Sequence, residues 1–338
     1  MVKNDLLILM PLFNDWAACD QLLAALDDVL AAKAISAAVL LVDDGSTVPM
    51  PHPFGRRAYR AISRLDVLRL RRNLGHQRAI CTGLAYIESH LADSCEAVVL
   101  MDSDGEDDPR DIARLLERFR QEGGQKIVFA ERTERSESLV FRLGYAVFRL
   151  LHWLLTSHGV HVGNFSMIPP LQLRSLVVSP ELWNHYAATV RVCRLPQCSV
   201  PTTRGKRLAG NGRMNFVGLV IHGLSAISVF SDIVGVRLLL LALFLGLATL
   251  LGVGAVVGLR LLTSLAIPGW ATSTVGLLLV ILLQAIVLSV VFSFIILAGR
   301  NGATFLPARD CGILVDRIEL VFPCQGATET RQSPTQSQ

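Results

Sequence analysis

From Leu238 to Leu259 the chain runs 22 residues without a charged side chain. After Arg260 and a turn around Pro268-Gly269, a second uncharged run reaches Gly299. A helix needs about 20 apolar residues to cross a hydrocarbon core of about 30 Å, so each run is long enough to span it. Neither run has a polar face, which argues against two buried helices of a soluble core. The apolar excess of the chain, 51% hydrophobic with a mean hydropathy of +0.46, is concentrated after residue 232. The chain is therefore expected to be a membrane-attached protein whose preceding residues build a separate domain. Basic residues cluster before the first run (Arg204, Lys206, Arg207, Arg213, Arg237) and after the second (Arg300, Arg309, Arg317). The connecting stretch has Arg260 alone. The positive-inside rule then predicts both ends cytoplasmic and the connection outside. Ser138 to Leu155 and Met214 to Phe230 read as amphipathic helices lying in the headgroup plane.

The residues ahead of the spans alternate between short apolar runs and amphipathic stretches. Leu6 to Met10, Ala37 to Val42, Asp66 to Leu70, Ala97 to Met101 and Lys126 to Ala130 read as strands. Helices are expected over 16–33, from His76 through His90, and from Pro109 to about Gln121, with Asp15 placed as the cap of the first. Such alternation predicts βαβ units and a mostly parallel sheet, an α/β domain. The strand ending at Met101 runs into Asp102-Ser103-Asp104-Gly105-Glu106-Asp107-Asp108-Pro109. Asp102, Asp104 and Glu106 offer clustered hard oxygen ligands suited to Mg²⁺ or Mn²⁺. The alternative is a solvated acidic loop that caps the next helix. The second strand ends in Asp43-Asp44-Gly45-Ser46-Thr47, on the same edge. Ligands of open α/β sheets bind outside the carboxyl ends of the strands. Asp43 or Asp44 is placed to hold a nucleotide, and Asp102 and Asp104 a metal on its phosphates.

Other classes fall away. The turn from Pro11 to Asp15 contains no glycine, so the dinucleotide fingerprint is missing, and no P-loop pattern occurs. Seven scattered cysteines (19, 81, 95, 193, 198, 311, 324) form no CxxC pair, which predicts reduced thiols and no zinc site or disulfide framework. The run from Leu6 to Met10 is too short for a signal peptide. Arg71, Arg72 and Arg78 read either as a basic functional patch or as a solvated face, and His76 as a residue that caps or packs at the start of its helix.

In this order and spacing, the motifs resemble family 2, GT-A-fold glycosyltransferases of the polyprenyl-phosphate type. The carrying residues are Pro11-Leu12-Phe13-Asn14-Asp15, Val42 to Thr47, Arg72 to Gln77, Met101 to Pro109, Gly163-Asn164-Phe165 and Arg207 to Gly210. The resemblance implies a GT-A nucleotide-sugar-binding domain over residues 1–212 and a juxtamembrane amphipathic helix over 213–232. Two transmembrane helices over 233–300 and a cytoplasmic tail over 301–338 would follow. It implies that Pro11, Asn14, Asp43, Asp44 and Asp102 contact the nucleotide-sugar, and that Asp102, Asp104 and Glu106 hold Mg²⁺ or Mn²⁺. It gives Asp104, Arg132, Arg207 and Arg213 catalytic roles, the arginines neutralising phosphate charge. Two departures stand out: Gly212-Arg213 where the family has Ser-Lys, and Asn164 where many relatives have an aspartate.

The expected activity is transfer of a sugar, with inversion, from a nucleotide-sugar to a polyprenyl phosphate at the cytoplasmic face of a bacterial inner membrane. No nucleic-acid partner is expected, and a homo-oligomer is left open. The alternatives are another lipid or polysaccharide acceptor, or a non-catalytic membrane scaffold that keeps the fold. A processive synthase would need more spans and a Q-x-x-R-W motif, which the chain lacks.

Overall fold

The computed structural model describes residues 4–55, 57–132, 150–157, 162–203, 205, 207–210, 216–263, 269–301 and 305–322. The chain divides into two units: 1–138, 161–222 and 305–338 form one, and 139–160 with 223–304 form the other.

In the first unit, the apolar runs become β1 (Asn4–Leu12), β2 (Ala37–Asp43), β3 (Ile62–Leu70), β4 (Cys95–Leu100) and β5 (Ile127–Arg132). Between them lie α1 (Trp16–Ala32), α2 (His76–His90) and α3 (Asp111–Gln121). Then follow β6 (Ser166–Ile168), α4 (Pro170–Val177), α5 (Tyr186–Val192), β7 (Gln197–Thr202) and, beyond the long apolar helices, β8 (Val315–Phe322). Among the described residues, eight strands make one sheet in the order β7-β5-β6-β4-β1-β2-β3-β8. The pairs β4-β1, β1-β2, β2-β3 and β5-β7 are parallel, and β6 and β8 run antiparallel to their neighbours. Successive strand residues point to opposite faces. Leu6, Ile8 and Met10 therefore pack with α1 and α3, while Leu7 and Leu9 pack with α2, α4 and α5. The expected α/β class with a mostly parallel sheet is thus observed.

Three strands were not expected. β6 is three residues long, and β7 alternates exposed with partly buried residues, so neither stands out as an apolar run. The third difference is larger. Residues 305–322, read from sequence as part of a tail, return to the sheet as a helical turn (Pro307–Asp310), a 3-10 turn (Cys311–Leu314) and β8 on the open edge of β3.

In the second unit, α7 (Ser231–Leu262) and α8 (Trp270–Asn301) are each 32 residues long. Both are long and apolar enough to cross a membrane. Ala242, Thr249 and Val256, seven residues apart, are the buried positions of α7, and Gly246 faces Leu282 and Ala285 of α8. Small residues at such a seam let apolar helices approach closely. Of the two expected interfacial segments, 138–149 lies outside the described residues. Residues 150–156 are helical, with Leu150, Leu151, Trp153 and Leu154 exposed. The other is α6 (Phe216–Ser228), which exposes Val220, Ile221 and Leu224.

Asp27 ties α1 to the start of β3. Its carboxylate accepts the backbone N–H groups of Arg60 (2.9 Å), Ala61 (2.8 Å) and Ile62 (3.1 Å). Burial alone would raise its pKa, but these bonds outweigh it and hold the value below the usual carboxylate range. The folded pKa lies under the unfolded one, so the stabilisation is complete above about pH 4 and is lost as pH falls through the lowered value. Asp27→Ala is expected to cost about 1–3 kcal/mol at neutral pH, because buried donors lose their acceptor. Thermal melting across pH checks it: the gap between wild type and variant should close toward low pH.

Candidate active site

β4, β1 and β2 are neighbours, so their carboxyl ends bring three loops together. Asn14, with φ of 58°, knits the first loop to the second. Its side-chain carbonyl accepts from Val48 N (2.7 Å), its amide donates to Thr47 Oγ1 (3.0 Å), and its backbone N–H donates to Ser46 Oγ (2.8 Å). Pro11 is buried, and its carbonyl accepts from Ser103 Oγ at 2.8 Å, which joins the β1 loop to the acidic loop after β4.

Asp43 and Asp44 are both buried. Asp43 accepts from Ser46 N (2.9 Å) and pairs with Arg69 Nη1 (2.7 Å). Arg69 lies over the Trp16 ring and forms a second ion pair, with Glu319 of β8, at 2.9 Å. Asp44 accepts from Leu74 N (2.6 Å) and Gly75 N (2.8 Å), one bond to each oxygen. Burial raises its pKa despite these two donors. The pair thus shapes the loops around the expected nucleotide position, and each bonded oxygen keeps a further lone pair.

The third loop carries Asp102, Asp104 and Glu106. Asp104 Oδ1 accepts from Glu106 N (3.0 Å), and Oδ2 accepts from Arg207 Nη1 (2.9 Å). Arg207 also grips Asp15 Oδ2 at 2.7 Å through Nη2. Asp15 is therefore not the side-chain cap expected for α1: it occupies the N-cap position, makes no capping bond, and turns its carboxylate to Arg207. A guanidinium with two parallel donor edges outcompetes a single backbone N–H for a carboxylate. Burial works against the charge of Arg207, but Asp15, Asp104 and Glu106 prevail and raise its pKa. Asp104 is itself raised, by burial first and then by Asp102 and Glu106, against the pull of Glu106 N–H and Arg207. Backbone bonds on either side fix the arginine: Gly205 N donates to Glu106 O (2.8 Å) and Leu208 N to Asp104 O (3.0 Å). Gly105 makes this closeness possible, since a Cβ there would lie 2.4 Å from Leu208 Cγ.

His76, read from sequence as a capping residue, belongs to the site. Its Nε2 lies 3.3 Å from Asp102 Oδ1 and 3.0 Å from Asn164 Nδ2. A backbone donor sets the orientation of this chain. Tyr186 N donates to Gln77 Oε1 (2.8 Å), so Gln77 Nε2 donates to Asn164 Oδ1 (3.1 Å), and Asn164 Nδ2 faces His76 Nε2. That nitrogen accepts from Asn164 in the neutral ring protonated at Nδ1 and donates to Asp102 in the imidazolium. Burial disfavours the imidazolium, yet Asp102, then Asp104 and Asp107, raise its pKa. Sequence spacing could not reveal this group, because His76 and Asn164 are 88 residues apart.

Among the described residues, no three His, Cys, Asp or Glu side chains converge as a metal cage. Asp102 and Asp104 share one strand end, but Glu106 is not gathered with them into a three-carboxylate set. Two hard carboxylates still fit Mg²⁺ or Mn²⁺, because such ions bind through one or two carboxylates together with substrate phosphates and water. Arg132 ends β5, but its side chain lies outside the described residues, as does all of Arg213.

A mostly parallel sheet with paired aspartates at the carboxyl ends of adjacent strands makes this an α/β domain with an acidic ligand-binding edge. Residues 7–167 match the family described as Glycosyl transferase family 2. The uncharacterized glycosyltransferase YkcC of Bacillus subtilis (strain 168) is 25% identical over 85% of this chain and 87% of its own length. The undecaprenyl-phosphate 4-deoxy-4-formamido-L-arabinose transferase of Erwinia tasmaniensis is 28% identical, over 39% of this chain and 38% of that relative. Among solved structures, glucosyl-3-phosphoglycerate synthase from Mycobacterium tuberculosis, in complex with Mn²⁺, UDP and phosphoglyceric acid, aligns at 17% identity. Its TM-score is 0.47, over 69% of this chain and 79% of that one.

Gly105 has φ of 85°, which a side chain rarely adopts, in addition to the contact with Leu208. Gly105→Ala is expected to cost about 1–3 kcal/mol and to displace the Arg207 loop. Gly123→Ala, at φ of 67° with open space around it, isolates the backbone part alone. Melting midpoints of the two variants, with Gly105→Ala the lower, check this.

Proposed function

We propose that the chain is a membrane-bound, inverting glycosyltransferase. It moves a sugar from a nucleotide-sugar to the phosphate of a polyprenyl lipid at the cytoplasmic face. The observation that supports this most is the pairing of Asp104 with Arg207 beside Asp102, which sets two carboxylates suited to a hard cation next to a guanidinium suited to phosphate in a partly dry site. The named activity of the undecaprenyl-phosphate relatives supports the acceptor class.

Asp102 and Asp104 would hold Mg²⁺ or Mn²⁺, which neutralises the charge of the leaving diphosphate when bound. Glu106, two residues on, is the next candidate ligand. Asp43 and Asp44 orient the nucleotide through the loops they brace, with Pro11 and Asn14 lining the same loops. Arg207 offers its donors to phosphate oxygens, where a fixed guanidinium in a partly dry site stabilises developing charge. Arg132 and Arg213 are assigned the same task on the acceptor side. Asn164 is an amide and cannot take a proton usefully, so it is no general base. A phosphate monoester has a second pKa near 6 and is already largely ionised at neutral pH, so it attacks without one. The acceptor phosphate therefore needs charge neutralisation and alignment from the protein rather than deprotonation.

Incubating membranes with a panel of labelled nucleotide-sugars and analysing the lipid fraction tests the reading; label confined to water-soluble product overturns it. Asp104→Asn is expected to nearly abolish transfer, as is excess chelator. Asn164→Ala should slow it only modestly, whereas Arg207→Ala should cost about 100-fold or more, by leaving phosphate charge unpaired. Efficient transfer to a dephosphorylated polyprenol would defeat the argument about the base.

The pairing of β8 supports the proposed topology. Because β8 pairs with β3, residues 62–70 and 315–322 occupy one compartment. Any crossing by the helices between them is then even in number. Arg/Lys placement puts that compartment on the cytoplasmic side. A reporter fused after Gln338 should read cytoplasmic, and one inserted near Pro268 should read external.

A further inference from the structure

Arg78 is the third residue of α2, two positions beyond His76, so about 3 Å of helix rise separates it from the residue that touches Asp102. It is exposed, yet it is not splayed into solvent. Its guanidinium carbon lies 5.0 Å over the Trp183 ring, and Trp183 in turn leans on Phe305, with ring centroids 4.2 Å apart and planes at 40°. Both rings are only partly buried. Phe305 follows the end of α8 by four residues. Among the described residues no carboxylate pairs with Arg78, whereas Arg69 and Arg207, at the same edge, are each held by two acids.

A merely solvated arginine needs no platform. Stacking a guanidinium on an aromatic face contributes about 0.5–1 kcal/mol at an exposed site and leaves its N–H edge free for an anion. The platform holds a positive charge in one place without cancelling it. Its aromatic base offers apolar surface of the kind that Trp provides between a wet and an apolar environment. A fixed, uncancelled cation on an aromatic base, beside the expected reaction site and close in sequence to an apolar helix, suits a phosphate carried on a hydrocarbon chain. We propose that Arg78, stacked on Trp183 and Phe305, is a binding site for the phosphate of the acceptor lipid. This rests on the transferase reading above and adds the residues that capture the acceptor.

The test uses the full chain in detergent. Direct binding of dodecyl phosphate, with dodecanol as the uncharged control, is compared for wild type and Arg78→Ala. An exposed first-turn helical position accepts alanine without loss of the fold. The expected result is about tenfold weaker binding of dodecyl phosphate and no change for dodecanol. Arg78→Lys should fall between, since an ammonium keeps charge but loses the planar stack. In transfer assays the loss should fall on the acceptor KM, with the donor KM moving less than twofold. Unchanged dodecyl phosphate binding in Arg78→Ala overturns the site. So does a loss confined to association with phosphatidylglycerol vesicles over phosphatidylcholine vesicles, which would assign Arg78 to the bulk membrane surface. If wild type binds dodecyl phosphate through Arg78 but transfers no sugar to any lipid phosphate, the site stands and the transferase reading fails.

Discussion

The site depends on one electrostatic constraint: carboxylates crowd the carboxyl edge of a sheet where little water reaches them. Asp43, Asp44 and Asp107 are buried, and Asp102 and Asp104 are close to it. Unpaired charges in such a place would be costly, so each acid is met by a specific partner. Arg207 spans Asp104 and Asp15, Arg69 meets Asp43, and backbone donors satisfy Asp44, Asp104 and Asp107. The residues suited to chemistry and those that hold the loops in register are therefore largely the same. Asp44 shows this well. By accepting from Leu74 and Gly75 it sets where α2 begins, and hence where His76, Gln77 and Arg78 stand.

The first turn of α2 then acts as a junction. His76 reaches Asp102, Gln77 is locked by Tyr186 and orders Asn164, and Arg78 stacks on Trp183. Three consecutive residues project to three different sets of partners because helical side chains fan out by about 100° per residue. One misplaced loop bond at Asp44 would disturb all three.

Much of this was legible in the sequence, for a physical reason. Parallel strands are buried on both faces and read as apolar runs, so β1, β2, β4 and β5 and the acidic residues at their ends could be placed from composition and spacing. Of β3, which carries Arg64, Asp66 and Arg69, only the second half could be placed. The match of residues 7–167 to the glycosyl transferase family 2 description and the two long apolar helices agree with that reading. What could not be read were pairings between distant residues. Asp15 resembled a helix cap because its neighbours are helical, and its true partner, Arg207, lies 192 positions away. β6, an interior strand, is only three residues long, and β7, at the sheet's edge, is half-exposed, so neither has an apolar signature. β8 carries Asp316, Arg317 and Glu319, charges that suit a strand at the sheet's edge and resemble a polar tail when read alone.

The closing of β3 by β8 also has a consequence for how the protein is made. Arg71 Nε donates to Val315 O across 244 positions of sequence, and Glu319 reaches Arg69 from the same late strand. A ribosome releases β3 long before its neighbour exists. During synthesis the edge of β3 is open and Arg69 lacks one of its two acids. Both apolar helices must emerge before the sheet can be finished. The last strand thus acts as a seal applied after the two long apolar helices have been made, linking completion of the sheet to completion of those helices.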